Sequence, residues 1–358
     1  MDSDLIPGLP ADLGLECLIR VPHHEFSSVV SVCRSWKREI QLPEFWRRRK
    51  LSGLTRRVVV MAQARVEQTR EVGARKFAAV PAYRLTLCEP ETGFWAELPP
   101  VPGFSDGLPM YCQLVGVGLN LVVMGGWDPE TWKASPAVFI YSFVSATWRR
   151  GADMPGGDRL FFACASDNAR TVFVAGGHDG EKCALRSALA YDVAEDEWRA
   201  MPDMARERDE AKGAFHRGAF HVIGGYPTNM QGRFEASAES FDVATWQWAP
   251  VQEDLLDAAA CPRNCVDSGD GRLLNCRDAE VAVREGLMWR AAAGELPCDV
   301  RNTAYVTAWQ GKVMVIGSER FGVAYKAFVL DLKRSKWERV DAHEEFTGHV
   351  QSGCCVEI

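Results

Sequence analysis

Three glycine pairs recur along this chain: Gly125-Gly126, Gly176-Gly177 and Gly224-Gly225. Each closes an apolar run, LVVMGG, VFVAGG and HVIGG. Downstream of each pair stands an aromatic residue, and seven positions after it a tryptophan: Tyr141 to Trp148, Tyr191 to Trp198, Phe241 to Trp248. A unit of about 50 residues cannot bury both faces of its strands alone, so neighbouring units must stack. Four short strands per unit and a glycine pair at a strand end describe one blade of a β-propeller. The glycines permit positive φ and close backbone approach where the strand ends.

Six segments end in such a tryptophan: Trp95, Trp148, Trp198, Trp248, Trp289 and Trp337. Large aromatics at a fixed repeat position predict packing between blades, not ligand contact. Trp127, Trp132, Trp246 and Trp309 fall outside this register. The first segment opens at VVVMAQA (58–64) without a strand before it, while the chain closes on GHVQSGCCVEI. That C-terminal strand, within 348–358, is expected to complete the first blade and leave few open edges. The fold class expected is mainly β: a six-bladed propeller over 58–358, preceded by an all-α segment over 1–50 and a short linker over 51–57. The fifth unit has DGRLLNCRDAE where a glycine pair belongs, and the sixth has Gly317-Ser318, so counts of five to seven stay open.

The first 50 residues read as three or four short helices. Pro10 suits a first helical turn, with Asp12 near its positive end. Leu13, Cys17, Leu18 and Val21 form one apolar stripe that Pro22 stops; Phe26, Val29, Val30, Cys33, Trp36 and Ile40 form another. Helices this short need partners to be stable. Residues 1–57 hold ten Lys and Arg against seven Asp and Glu, a net of +3; the whole chain is at −7, which leaves −10 for the remainder. That balance argues against a nucleic-acid partner. No apolar run approaches a membrane span, and MDSDLIPGLP has neither a basic n-region nor an apolar h-region, so no membrane or secretory role is expected. The twelve cysteines are then read as reduced thiols of the cytoplasm or nucleus.

The glycine-pair and tryptophan pattern resembles the kelch repeat. L-P-x-D-L, V-C-R-S-W-K and P-E-F-W near the N-terminus resemble an F-box, and LPPVPGFSDGLP, VMGGWDPETW, WRRGADMPGG, VAGGHDGEKCALRSALAYDV and GHVQSG are similar to plant F-box/kelch-repeat proteins nearly end to end. The resemblance implies a substrate receptor of an SCF-type cullin–RING ubiquitin ligase. Leu9, Pro10, Leu13, Leu18, Val21 and Trp36 would form the face that docks the Skp adaptor, or its supporting core, and the adaptor would bring the cullin. It further implies phenylalanine ammonia-lyase as target, controlling phenylpropanoid output, with type-B response regulators of cytokinin signalling as the alternative and a non-degradative scaffold as the competing class.

A target would meet the propeller at the loops after the glycine pairs, WDPETWKAS (127–135), HDGEKCALRS (178–187) and YPTNMQGRFE (226–235). They carry Trp127, Trp132, His178 and Tyr226, and exposed aromatics are enriched at interfaces. An arginine recurs before the inner strand as Arg159, Arg208, Arg263 and Arg301. If those side chains ring the central pocket they suit an acidic peptide; the alternative is that each pairs with a nearby Asp or Glu. The long insertion from about Arg65 to Pro81 is a candidate target-contacting arm.

No phosphate-binding or nucleophile-elbow motif occurs. Cys261, Cys265, Cys276 and Cys298 lack the paired spacing of a zinc site. No catalytic residue, metal or cofactor is therefore expected.

Overall fold

The computed structural model describes residues 5–66, 81–256, 261–277, 280–286, 288–292, 295–320 and 322–358. Six four-stranded antiparallel sheets make the six blades of a propeller. The second blade shows the plan: Gln113–Val117, Asn120–Met124, Val138–Ser142 and Thr147–Gly151, paired in sequence order. In the first blade the innermost strand is Val350–Glu357, which pairs with Arg57–Ala64. The two chain ends thereby close the ring of blades.

Each interface between blades is an apolar layer. Val122, Ile140, Val172 and Tyr191 join the second blade to the third; Phe173, Ala190, Phe220 and Phe241 join the third to the fourth. The register tryptophans pin these layers. Trp148 Nε1 donates to Pro99 O (3.1 Å), Trp198 to Ala152 O (2.9 Å), Trp248 to Pro202 O (2.7 Å), Trp289 to Leu255 O (2.7 Å) and Trp95 to Asp341 O (3.0 Å). Four acceptors lie one or two residues past the outer strand of the preceding blade and Leu255 lies seven past it, so one indole both fills the interface and ties it. Trp337 Nε1 has no partner among the described residues.

The turn before each tryptophan sets its register. Asp192 Oδ1 accepts from the amides of Ala194 and Glu195 (both 3.0 Å), and Asp242 Oδ1 from Ala244 and Thr245 (2.8 and 3.1 Å). These are Asx turns. The chain then passes through a left-handed residue, Asp196 (φ 59°) or Trp246 (φ 60°), and re-enters the sheet.

The glycine pairs have the conformation that their sequence implies. Gly176 and Gly177 have φ 66° and 81°. A Cβ would stand 2.3 Å from Arg208 O at the first and 2.2 Å from Leu160 O at the second. Both collisions are with backbone, which cannot swing aside. The fifth and sixth blades form without the pair. In the sixth, the second strand Lys312–Ser318 runs on through Gly317 and Ser318, whose backbone stays extended.

Four α-helices precede the propeller: Ala11–Ile19, Phe26–Val32, Arg34–Gln41 and Pro43–Leu51. Pro43 opens the last at its first turn, where its missing N–H is no loss. Leu15, Leu18, Ile19, Phe26, Ile40 and Phe45 are buried in one cluster with Val58, Val60, Leu85, Leu121 and Ile358 of the propeller. Helices too short to persist alone are thus stabilised on the first two blades. Arg49, 2 % exposed, staples them: Nη1 donates to Val21 O (2.8 Å), Nη2 to Leu54 O (3.0 Å), and its guanidinium lies 4.8 Å from the Phe26 ring centroid. Burial lowers its pKa to about 10, still far above neutrality, so the staple stays charged.

Candidate functional site

The helices and the glycine-pair loops lie at opposite ends of the propeller axis. Trp46, Arg47 and Lys50 of the last helix line one mouth of the central channel beside Gly118, Asn168, Gly269 and Gln310. Those four belong to turns between first and second strands. The glycine pairs end the second strands, so their loops open at the far end. Polar contacts reinforce the helix end: His23 Nε2 lies 3.2 Å from Glu89 Oε1, Lys50 Nζ 3.0 Å from Glu357 Oε2, and Thr55 Oγ1 3.0 Å from Glu357 Oε1. One end carries the helices and the other the glycine-pair loops.

At the helix end, Pro10 and Leu13 are exposed, Leu13 by 49 %. Leu9, Val21 and Trp36 are half-buried, and Trp36 Nε1 donates to Leu5 O (2.6 Å). Leu18 lies inside the core that joins helices to blades. Of the six candidate docking residues, two are surface, three are flanking and one is support. Val32 (61 % exposed) and Leu42 (42 %) also leave apolar surface open, and the sequence reading did not single them out.

At the open end the repeat places equivalent residues together. Trp127, His178 and Tyr226 each follow a glycine pair and each bridges to the residue three before an inner strand begins: Met110, Leu160 and Asp209. His178 is buried, with Nδ1 2.9 Å from Asp209 Oδ2. Burial raises the Asp209 pKa, and the His178 contact opposes that rise. Tyr226 is also buried, and its hydroxyl donates to Glu210 Oε1 (2.8 Å). Burial, then Glu210, raises the Tyr226 pKa, so it remains a neutral donor. Trp132 is 54 % exposed at the tip of its loop.

The next residue in the first three of these registers is Tyr111, Phe161 or Glu210, each with positive φ: 60°, 51° and 51°. Bulky residues rarely adopt that conformation, and it costs of order 1–3 kcal/mol each. It brings side chains of adjacent blades into contact. Tyr111 lies 4.9 Å from Phe161 and 5.7 Å from Trp127, and Phe161 lies 5.5 Å from His178. The sequence reading missed Tyr111 and Phe161. Their signal was the alignment of M-Y-C, L-F-F and D-E-A just ahead of three inner strands.

Of the two readings of the arginines, the ring around the central pocket is not formed, and two of them turn back into their blades. Arg159 turns into its own blade, donating to Gly176 O (2.6 Å), Ser187 O (3.1 Å) and Ser187 Oγ (2.6 Å). Arg208 repeats this one blade on, with Gly224 O (2.6 Å), Ser237 Oγ (2.9 Å) and Glu239 Oε1 (3.1 Å). The reason is local: the positive-φ pair turns the first glycine's carbonyl out of the sheet ladder and a guanidinium satisfies it, while the second glycine's carbonyl accepts from the backbone amide of Leu185 or Glu235. Arg263 and Arg301 are exposed and remain at the surface. The candidate arm at 65–81 falls mostly on 67–80, outside the described residues. Among the described residues no group of three or more His, Cys, Asp or Glu has metal-holding geometry, and no helix is long and apolar enough to cross a membrane.

A family model described as F-box domain matches residues 6–48, and one described as Kelch motif matches 110–155 and 168–205. Two Arabidopsis thaliana proteins are similar over full length: F-box/kelch-repeat protein At1g80440 is 47 % identical, and F-box/kelch-repeat protein At1g15670 is 48 % identical, each over 99 % of this chain and 100 % of the relative. F-box/kelch-repeat protein SKIP20 of the same plant is 34 % identical over 96 % of this chain and 94 % of its own.

Proposed function

This chain belongs to the F-box/kelch-repeat family, and from that premise we propose how it divides its labour as a substrate receptor of an SCF-type ubiquitin ligase. Residues 1–50 hold the Skp adaptor and, through it, the cullin. Residues 51–57 join them to the propeller, and residues 58–358 hold the target. The observation that carries this reading is that the helices share a core with the first two blades at one end of the propeller, while the glycine-pair loops open at the other. A target seated on the glycine-pair loops leaves the adaptor unobstructed, and a rigid joint holds its lysines at a fixed offset. The ligase gains by effective concentration, so no bond need be made or broken by this polypeptide.

Pro10 and Leu13 are the adaptor contacts in this reading, with Leu9, Val21 and Trp36 shaping their surroundings and Leu18 supporting them from inside. Trp127, Trp132, Tyr111 and Phe161 are the target contacts, together with Arg263 and Arg301 at the rim. Arg159, Arg208, His178 and Tyr226 act behind them as supports. The target is phenylalanine ammonia-lyase, a reading supported by the subfamily resemblance of the loop strings, and the setting is the cytoplasm or nucleus. Ubiquitination with purified adaptor, cullin–RING core and this chain tests it. Modification of phenylalanine ammonia-lyase that is lost in Tyr111→Ala/Phe161→Ala supports it. Modification of a type-B response regulator instead replaces the target, and modification of neither returns the chain to the scaffold class.

A further inference from the structure

The central channel encloses about 670 Å³ and is lined by the inner strands of all six blades. That size lies within the range of small-molecule sites, about 300–1,000 Å³. Its walls carry small residues, among them Gly116, Ala165, Gly213, Ala308 and Gly353. Each inner strand is paired on one side only, so its free edge presents backbone N–H and C=O groups to the channel.

The charged side chains that line this space are hydrogen-bonded, with one exception. Asp267 is bonded to His216 Nδ1. Glu357 is bonded to Lys50, Thr55 and Arg57. Arg47 is bonded to Glu44. Lys212, at the start of the fourth blade's inner strand, has no hydrogen bond or ion pair among the described residues. It is half-buried and reaches the channel space, and the titratable groups that act on it are Cys265, Arg263, Cys164 and Cys261. Burial pushes the Cys265 thiol up to about 12 and Cys164 higher still, so neither supplies a counter-charge. Burial likewise lowers the Lys212 pKa. An unpaired ammonium in such surroundings is costly.

We propose that the central channel is a binding site for a small organic carboxylate, whose charged group pairs with Lys212 Nζ and whose apolar body lies against the inner strands. Among the described channel-lining cations Lys212 alone has no partner, and one carboxylate would supply it.

The test is isothermal titration of the full chain, co-purified with its adaptor, with sodium benzoate, benzyl alcohol and inorganic phosphate at pH 7. Saturable one-site binding of benzoate is expected, at least tenfold tighter than benzyl alcohol or phosphate. It should weaken at least tenfold in Lys212→Met and survive in Lys212→Arg. Removing an unpaired, half-buried charge should leave the melting temperature of Lys212→Met equal or higher, which shows that the variant is folded; Lys212→Gln is the second neutral variant. Absence of saturable benzoate binding, benzoate binding unchanged in both neutral variants, or phosphate binding as tight as benzoate would each overturn the proposal.

Discussion

Truncating Arg208 to alanine separates a structural guanidinium from a ligand-binding one. The side chain is 1 % exposed and makes four hydrogen bonds, to Gly224 O, Ser237 O, Ser237 Oγ and Glu239 Oε1. Its loss leaves the equally buried Glu239 carboxylate with only the backbone amides of Ala205 and Arg206, at 2.7 and 3.2 Å. Removing one partner of a buried ion pair costs about 3–5 kcal/mol, because the remaining charge is uncompensated. The orphaned Gly224 carbonyl adds to that, so we take the upper half of the range, about 4 kcal/mol. At roughly 2 °C per kcal/mol for a chain this long, the melting temperature should fall by about 8 °C. Arg301→Ala, at an exposed position, should stay within about 0.5 kcal/mol of wild type. Adding Glu239→Gln to Arg208→Ala should restore part of the loss, since it neutralises the stranded charge. Thermal unfolding followed by tryptophan fluorescence reads all of these variants. An Arg208→Ala protein that melts within 2 °C of wild type but no longer holds its target would refute the reasoning, and would return Arg208 to the binding surface.

Three further outcomes follow from the same geometry. Gly177→Ala places a methyl 2.2 Å from Leu160 O at a φ of 81°, so both strain and collision apply; a loss of about 3 kcal/mol or more is expected by urea unfolding, and a change under 1 kcal/mol would contradict it. Trp198→Phe keeps most of the packing but strands Ala152 O, and should cost about 1–2 kcal/mol, with Trp148→Phe costing a similar amount if the pins are equivalent. Burial lowers the pKa of His23, His221 and His349 from 6.5, so the unfolded chain takes up protons before the folded one does. These groups therefore make stability fall as pH drops below about 6.5, and melting temperatures at pH 7.5, 6.5 and 5.5 should descend in that order; a flat or rising series would contradict the assignment.

The repeat was legible because its chemistry is local. Glycine pairs, turn aspartates and register tryptophans are each fixed by backbone geometry within a few residues, and their spacing exposed six blades and the closing strand. The fifth blade was hard to read for the same reason: its sheet needs only a hydrogen-bond ladder, which Leu273–Arg277 supplies without the glycine pair. The arginine register was also read from sequence, but the direction of the side chains was not. A pattern does not say whether a guanidinium points into a channel or turns back onto Gly176 O. Tyr111 and Phe161 were hidden because propensity disfavours positive φ for aromatic residues, so nothing in their neighbourhood announces that they turn outward together.

The most direct test of the receptor account is affinity recovery of the tagged full chain from plant cells under proteasome inhibition, in three forms: wild type, Pro10→Ala/Leu13→Glu, and Tyr111→Ala/Phe161→Ala. The account predicts that wild type recovers adaptor, cullin and target together. The first variant should keep the target and lose the adaptor, and the second should keep the adaptor and lose the target. Wild type that recovers no adaptor, or a single variant that loses both partners while remaining folded, would contradict two independent docking surfaces at opposite ends of the propeller.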